Sequence, residues 1–322
     1  DLVPDYRFAS TNDAVATVDQ NGQVTFHGVG NAKIVAYDAT SELYAFVEIE
    51  VLPQTERYFD DDPDRLIAAP GLGAGLEHSI TLTADGEVYA WGANQYGQVG
   101  TQQMATALFT GHERVTLGDG TKMGNIVSVA AGANFNLAVS DDGTVYAWGL
   151  NASGSLGLNS DYASTSPYYV PQKVKDVDGK SALGTSEETG KIVRVYAYGN
   201  AAAAISERGQ VYVWGESTSN MLGARRNSAY YLYPHKVPGI DNAMDVYFTD
   251  GNMLILTADG MLYVSGSQRN GFVGTGASTD VAAYPQPMVI QASADGTVPA
   301  RYQGGVVDAG MGKNQIVFMT ME

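Results

Sequence analysis

The ten residues Thr83–Gly92, TADGEVYAWG, recur three times further along the chain. The later copies read SDDGTVYAWG, SERGQVYVWG and TADGMLYVSG, at residues 140–149, 206–215 and 257–266. Self-similarity of this kind is the signature of a repeat architecture, in which every copy forms the same small structural unit. This stretch therefore predicts a repeat fold before the rest of the chain is considered.

Each copy is typical of a tight turn followed by a strand. A pair such as Asp85-Gly86 stands where a hairpin turn needs a positive φ, which glycine adopts without a Cβ clash. The next residues, Val88 to Trp91 in the first copy, are uncharged β-formers that suit a buried strand. The repeated Asp before glycine is interpreted as a turn cap rather than a catalytic acid.

Composition favours a nearly all-β protein and excludes several classes of function. The 322 residues include 38 glycines, and no long stretch places apolar residues at helical spacing. The formal net charge of -17 would repel a phosphate backbone, so no nucleic-acid partner is expected. The chain has no cysteine, which excludes disulfides, thiolate catalysis and cysteine-bound metals.

Targeting signals are also absent from the sequence. No apolar run is long enough to span a membrane as a helix, so no membrane span is expected. The chain opens at Asp1 without Met, and we expect it to be a processed or excised piece of a longer protein.

A short loop and a longer variable segment follow each copy of the repeat. The short loops occupy residues 94–100, 151–157, 217–223 and 268–274, and the variable segments differ in length. Constant strands with insertions confined to loops are typical of propellers and solenoids.

The repeat resembles the regulator of chromosome condensation family. The pattern AGxxHxxxLTxDGxVYxWGxNxxGQLG fits residues 74–100 almost position by position, and the later copies with losses such as Ser265 in place of Trp. The resemblance implies a β-propeller of four-stranded blades over residues 71–322, with four nearly complete units and a fifth that stops at Glu322. It also implies that Trp91, Trp148 and Trp214 occupy equivalent, mostly buried positions.

The first 53 residues carry a different pattern. VATVD, NGQVT and GVGNAKIVA, within residues 15–36, resemble the bacterial group 2 immunoglobulin-like domain. The resemblance covers only the later strands of that domain. We therefore expect a partial immunoglobulin-like β-sandwich module over residues 1–53, with a possible open sheet edge.

Residues 54–70 are interpreted as a linker. Their acidic run, Asp60, Asp61, Asp62 and Asp64, is a weak calcium candidate, but it lacks the spacing of a calcium loop, and a solvated linker is favoured. The four histidines are scattered, and no nucleophile elbow or phosphate loop is present. We expect no cofactor, no metal and no enzymatic activity.

Tyrosine is unusually frequent, with 20 copies. Some share one repeat position, but others fall in the variable segments and are candidate binding residues: Tyr168, Tyr169, Tyr230, Tyr231, Tyr233 and Tyr284. Tyrosine combines apolar area with a hydrogen-bonding tip, which suits protein or glycan contacts. Packing between blades is the competing interpretation and is favoured about two to one.

The sequence predicts a secreted or cell-surface bacterial protein that binds a protein or glycan partner without catalysis. Binding is expected on the variable segments, residues 101–125, 158–190, 224–240 and 275–300, because loops on a rigid scaffold carry function. A structural subunit of a surface assembly, joined through open strand edges, and a secreted inhibitor of an enzyme remain alternatives.

Overall fold

The structure is a computed structural model. It describes residues 6–27, 30–38, 43–51, 71–103, 107–160, 167–224, 228–267, 281–290, 301–302, 305–312 and 315–320. The chain divides into two units, one made of Asp1–Thr55 with Met319–Glu322 and the other of Glu56–Phe318. No helix in the described part of the chain is long and apolar enough to cross a membrane.

The first unit contains two small antiparallel sheets. Its strands are β1 (Tyr6–Ser10), β2 (Ala16–Val18), β3 (Val24–Phe26), β4 (Gly30–Asp38) and β5 (Leu43–Val51). β2 and β3 form a hairpin, and β1, β4 and β5 form a three-stranded sheet in that order. The hairpin turns at Gly22, whose φ of +80° only glycine adopts readily. Its small core contains Val15, Ala16 and Ala32.

Repeated antiparallel sheets build the second unit. The first blade has β6 (Gly71–Ala74), β7 (His78–Leu82), β8 (Val88–Ala93) and β9 (Leu108–Arg114). The second has β10 (Ile126–Ala131), β11 (Phe135–Ser140), β12 (Val145–Gly149) and β13 (Tyr168–Lys173). The third has β14 (Ile192–Tyr198), β15 (Ala201–Ser206), β16 (Val211–Glu216) and β17 (Tyr230–Lys236). The fourth has β18 (Ala243–Thr249), β19 (Asn252–Thr257), β20 (Leu262–Ser267) and β21 (Val281–Pro287).

Short elements complete this unit. A two-stranded sheet pairs β22 (Val289–Ile290) with β23 (Arg301–Tyr302), and a partial fifth blade pairs β24 (Val306–Gly312) with β25 (Gln315–Thr320). One-turn 3-10 helices lie at Ala152–Gly154 and Thr218–Asn220. Within the described residues, four sheets have four strands each, which confirms the predicted all-β propeller of four-stranded blades.

The turns that recur in the sequence adopt the same conformation in every blade. Gly86, Gly143, Gly209 and Gly260 have φ values of +74°, +90°, +72° and +74°. The carboxylate of Asp142 accepts hydrogen bonds from the Thr144 amide and the Ser140 hydroxyl. The expected turn-capping role of this aspartate is therefore confirmed.

Consecutive blades pack face to face, with their first strands side by side. β10 contacts both β6 and β14, and β18 contacts both β14 and β24. Ile80 and Val88 of the first blade share a core with Ala138 and Trp148 of the second. Apolar faces buried between neighbouring sheets thus hold the unit together.

A hydrogen bond that we call the clasp repeats at each of the three interfaces between the four blades. The indole Nε1 of Trp148 donates to the carbonyl of Gln98 at 2.9 Å, and that of Trp214 donates to the carbonyl of Ser155 at 2.8 Å. Ser265 holds the same position in the fourth blade, and its Oγ donates to the carbonyl of Met221 at 2.5 Å. In each case the third strand of one blade reaches back to the short loop of the blade before it.

Trp91 is the exception to the expected burial. It pairs with Ser79 as Trp148 pairs with Asn136, so the predicted equivalence of the positions is confirmed. Trp148 and Trp214 are fully buried, but Trp91 is only half-buried, and Leu72 on its blade is 74% exposed. The reason is that no other blade precedes the first one in the described chain.

A buried polar network crosses the first interface. His78 is 4% exposed, and its Nε2 lies 3.0 Å from Oδ1 of Asn136, whose Nδ2 donates to the carbonyl of Gln98. Burial disfavours the imidazolium form and lowers the pKa of His78 below its ordinary value of 6.5. His78 therefore supports the fold as a neutral side chain, as expected for a structural histidine.

This network predicts a loss of stability in acid. Because the pKa of His78 is lower in the folded chain, the unfolded chain binds the proton first, and stability falls as the pH drops below about 6.5. Phenylalanine occupies the same position in the second blade, as Phe135. We expect His78→Phe to reduce the acid-dependent fall in the melting temperature. Parallel falls in the wild type and the variant would contradict this role.

Candidate protein-binding site

The six candidate tyrosines all lie on the fourth strands of blades. Tyr168 and Tyr169 lie on β13, Tyr230, Tyr231 and Tyr233 on β17, and Tyr284 on β21. The fourth strand is the edge strand of its sheet, farthest from the first strands that pack together. The candidates therefore follow the outer edge of the second, third and fourth blades.

The pair on the second blade takes part in packing between blades. Tyr168 is half-buried and packs against the central hydrophobic core. The hydroxyl of Tyr169 donates to the carbonyl of Gln95 in the first blade at 3.3 Å. Gly97 lies against the backbone of both tyrosines, where no Cβ could fit. The short loop of the first blade therefore packs against β13.

The remaining candidates differ in exposure. Tyr231 is 2% exposed and belongs to the central core, whereas Tyr230 and Tyr233 are half-buried. Tyr284 is 39% exposed on the fourth blade. Of these residues, Tyr231 and Tyr233 are brought together with another aromatic side chain.

That side chain is His235, whose ring lies close to the rings of both tyrosines. Its ring centroid lies 4.9 Å from that of Tyr231 and 4.7 Å from that of Tyr233. Nδ1 of His235 lies 2.8 Å from the carbonyl oxygen of Tyr233. The three rings form a stacked row whose inner member, Tyr231, is anchored in the core.

Two members of this row, Tyr233 and His235, line a cavity of about 320 Å³ on the third blade. Its lining combines aromatic, apolar and charged side chains: Val177, Glu188, Gln210, Tyr212, Tyr233, Pro234, His235 and Lys236. These residues come from two of the variable segments, 158–190 and 224–240, and from β16 and the turn before it. A volume of this size lies near the lower end for small-ligand pockets and suits a single side chain of a partner.

A buried carboxylate organises the loop on one side of the cavity. Asp176 is 1% exposed, and its Oδ2 accepts hydrogen bonds from the hydroxyls of Ser186 at 2.6 Å and Thr189 at 3.1 Å. Nη1 of Arg208 donates to the carbonyl of Glu187 at 2.9 Å. Glu188 therefore stands on a loop that is fixed on both sides of it.

Tyr212 lines the cavity as a hydrogen-bonded phenol. The hydroxyl of Tyr212 donates to Oε1 of Gln210 at 2.7 Å. Burial, together with the charges of Asp176 and Glu188, raises the pKa of Tyr212 to about 12. The Tyr212 phenol is therefore neutral at physiological pH. Lys236, which also lines the cavity, is paired with Asp241 at 2.9 Å.

A metal site requires several ligating side chains close together. Within the described residues, no group of three or more His, Cys, Asp or Glu side chains is placed to hold a metal ion. The calcium candidates Asp60, Asp61, Asp62 and Asp64 lie outside the described residues. Aromatic rings, the Glu188 carboxylate and the paired cation Lys236 offer contacts to a ligand in this cavity.

Sequence reasoning identified Tyr233 but missed His235, Tyr212 and Glu188. The alternation of Tyr231, Tyr233 and His235 is a signal for one aromatic strand face. The position of Glu188 had no such signal, because it depends on how the preceding loop folds around Asp176.

Comparison with known proteins agrees with this architecture. Models described as the regulator of chromosome condensation repeat match residues 72–98, 126–155 and 142–200. The model described as the intimin immunoglobulin-like domain matches residues 4–40. The immunoglobulin-like interpretation of the N-terminal module is therefore confirmed.

Two curated relatives illustrate the range of similar proteins. Protein pim1 of Schizosaccharomyces pombe is 30% identical over 231 residues, which cover 66% of this chain and 40% of pim1. The ultraviolet-B receptor UVR8 of Arabidopsis thaliana is 30% identical over 211 residues, covering 65% of this chain and 43% of UVR8. The chain thus spans less than half the length of either relative.

Solved structures support the same fold. Prp20p of Saccharomyces cerevisiae matches 99% of this chain and 92% of its own, with a TM-score of 0.59 and 14% identity. Human WBSCR16 matches 93% of this chain and 69% of its own, with a TM-score of 0.58 and 20% identity. The repeats, the blades and these matches together show that the chain carries regulator of chromosome condensation repeats, which follow an immunoglobulin-like domain in the sequence.

Proposed function

We propose that this protein is a non-catalytic binding protein that captures a protein partner through the cavity on its third blade. The observation that carries the proposal is the juxtaposition of Tyr233, His235 and Glu188 around one cavity. Aromatic side chains that are held rigidly contribute large contact areas at low entropic cost, and they dominate binding energy at protein interfaces.

The relatives support a protein partner. Prp20p, which shares the fold, is described with binding to Gsp1p and histones, and in another structure it is bound to Kap60. Protein binding by a propeller is the function that the cavity supports best.

The setting that we propose is the bacterial cell surface or the secreted fraction, with adhesion as the role. The intimin-type module in residues 4–40 and the net charge of -17 support this setting. The named relatives are eukaryotic proteins, so the N-terminal module is the main support for it. Surface labelling of intact cells tests the location directly.

Replacement of one ring tests the binding site. We expect Tyr233→Ser to weaken binding of the partner isolated with the wild-type protein by roughly tenfold, since interface tyrosines contribute about 1–2 kcal/mol or more. Tyr233 is half-buried at the surface, so an unchanged melting temperature separates lost contact from lost folding. Binding would be measured by titration of the purified partner.

Two variants serve as controls for this experiment. Tyr284→Ser removes an exposed tyrosine from the fourth blade, and Phe46→Ser removes an exposed ring from the N-terminal module. Both are expected to bind the partner as the wild type does. If Phe46→Ser abolishes binding while Tyr233→Ser leaves it unchanged, the module binds and the propeller is a spacer.

A further inference from the structure

The rim of the cavity carries an acidic residue, Glu188, on a hydrogen-bonded loop. Glu188 is exposed and lines the cavity beside Tyr233 and His235. Hydrogen bonds hold the residues on either side of it: Arg208 donates to the carbonyl of Glu187, and the Thr189 hydroxyl donates to Asp176. The backbone position of Glu188 is therefore set before a ligand binds, which reduces the conformational freedom that this loop loses on binding.

Aromatic side chains stand next to this carboxylate. The faces of tyrosine rings attract cations through their quadrupole, and the attraction grows when the cation leaves water. Tyr212 and Tyr233 both line the cavity, and His235 stacks on Tyr233. Aromatic faces beside one carboxylate are the combination that recognises a cationic side chain.

The charges around the cavity agree with a cationic ligand. Lys236 is a cation in the lining, but its ammonium pairs with Asp241 at 2.9 Å. The nearby carboxylates of Asp176 and Glu188 oppose ionisation of the Tyr212 phenol and contribute to its raised pKa. The chain as a whole carries a net charge of -17, which raises the local concentration of basic partners.

We propose that the cavity binds an arginine or lysine side chain presented by the partner protein, with Glu188 pairing with its charge and Tyr233 lying against its stem and head group. This inference rests on the proposed function and specifies the chemistry of the partner. A volume of about 320 Å³ accommodates one such side chain rather than a folded element.

The test uses the full chain and a fluorescently labelled tetra-arginine peptide, with a tetraglutamine peptide as the neutral probe. We expect Glu188→Gln and Tyr233→Ala each to weaken tetra-arginine binding by about threefold to tenfold, as for a partly exposed ion pair and a cation–π contact. The matched control is Glu187→Gln, which removes the same charge one residue away from the cavity lining. It is expected to change the affinity by less than about twofold.

Equal losses in Glu188→Gln and Glu187→Gln would mean general attraction to an acidic protein and would overturn the inference. Equal binding of tetraglutamine and tetra-arginine would overturn it as well. If the isolated partner still depends on Tyr233 while Glu188→Gln has no effect on either the peptide or the partner, the cationic specificity fails and the proposed function survives. If the partner is insensitive to Tyr233, the proposed function itself fails.

Discussion

Truncation of Trp214 to alanine is expected to lower the free energy of unfolding of the propeller by about 3–5 kcal/mol. The indole is fully buried between the second and third blades and donates its clasp hydrogen bond to the carbonyl of Ser155. The substitution leaves a large cavity and a buried carbonyl without its donor, and both effects destabilise the fold. Chemical denaturation followed by intrinsic fluorescence and circular dichroism measures the loss.

Trp91→Ala is the matched control because it removes the same side chain from the same repeat position. Trp91 is half-buried and has no preceding blade to clasp in the described chain, so we expect a loss of about 1–2 kcal/mol. Equal effects of the two substitutions would contradict the clasp as the contact that joins the blades. An unchanged unfolding transition in Trp214→Ala would contradict the alignment of the repeats.

The glycine after the tryptophan is the second position with a large expected effect. Gly215 has a φ of +85°, and a Cβ there would collide with the carbonyl oxygen of Asn200. We expect Gly215→Ala to cost about 3 kcal/mol or more, since backbone strain and a steric clash act together. The melting temperature and the denaturant midpoint both report this cost.

Gly239→Ala separates the cost of backbone strain from the cost of the steric clash. Its φ is +77°, but nothing lies within 4 Å of the position that a Cβ would take. Gly239→Ala should therefore cost only the conformational strain, about 1–2 kcal/mol. If Gly215→Ala lowers the free energy of unfolding no more than Gly239→Ala does, the close approach of Gly215 to the Asn200 carbonyl is not important for stability.

Much of the fold could be predicted because the sequence repeats the same turn and strand pattern four times. The positive φ values at Gly86 and Gly143 follow from a turn type that only glycine forms easily. The equivalence of Trp148 and Trp214 follows from their identical place in the repeat. The partial exposure of Trp91 could not be predicted, because burial depends on a neighbouring blade and not on the residue's own sequence.

The candidate site was only partly predictable for a related reason. Tyrosines in variable segments drew attention to β17, and Tyr233 does line the cavity. The same pattern also selected Tyr231, which lies in the core, because sequence alone does not reveal how deeply each residue of the strand is buried. The place of Glu188 at the cavity could not be predicted, because it depends on a loop whose path is set by the hydrogen bonds from Ser186 and Thr189 to Asp176.

Site-specific photo-crosslinking tests most directly the claim that the third-blade cavity binds a protein partner. A benzophenone amino acid would replace Tyr233 at the cavity and, in a separate variant, Tyr198, which is 45% exposed and does not line it. Irradiation in the presence of the isolated partner is expected to give a covalent adduct at position 233 and none at position 198. An adduct at position 198 with none at position 233 would place binding elsewhere on the propeller and contradict the claim.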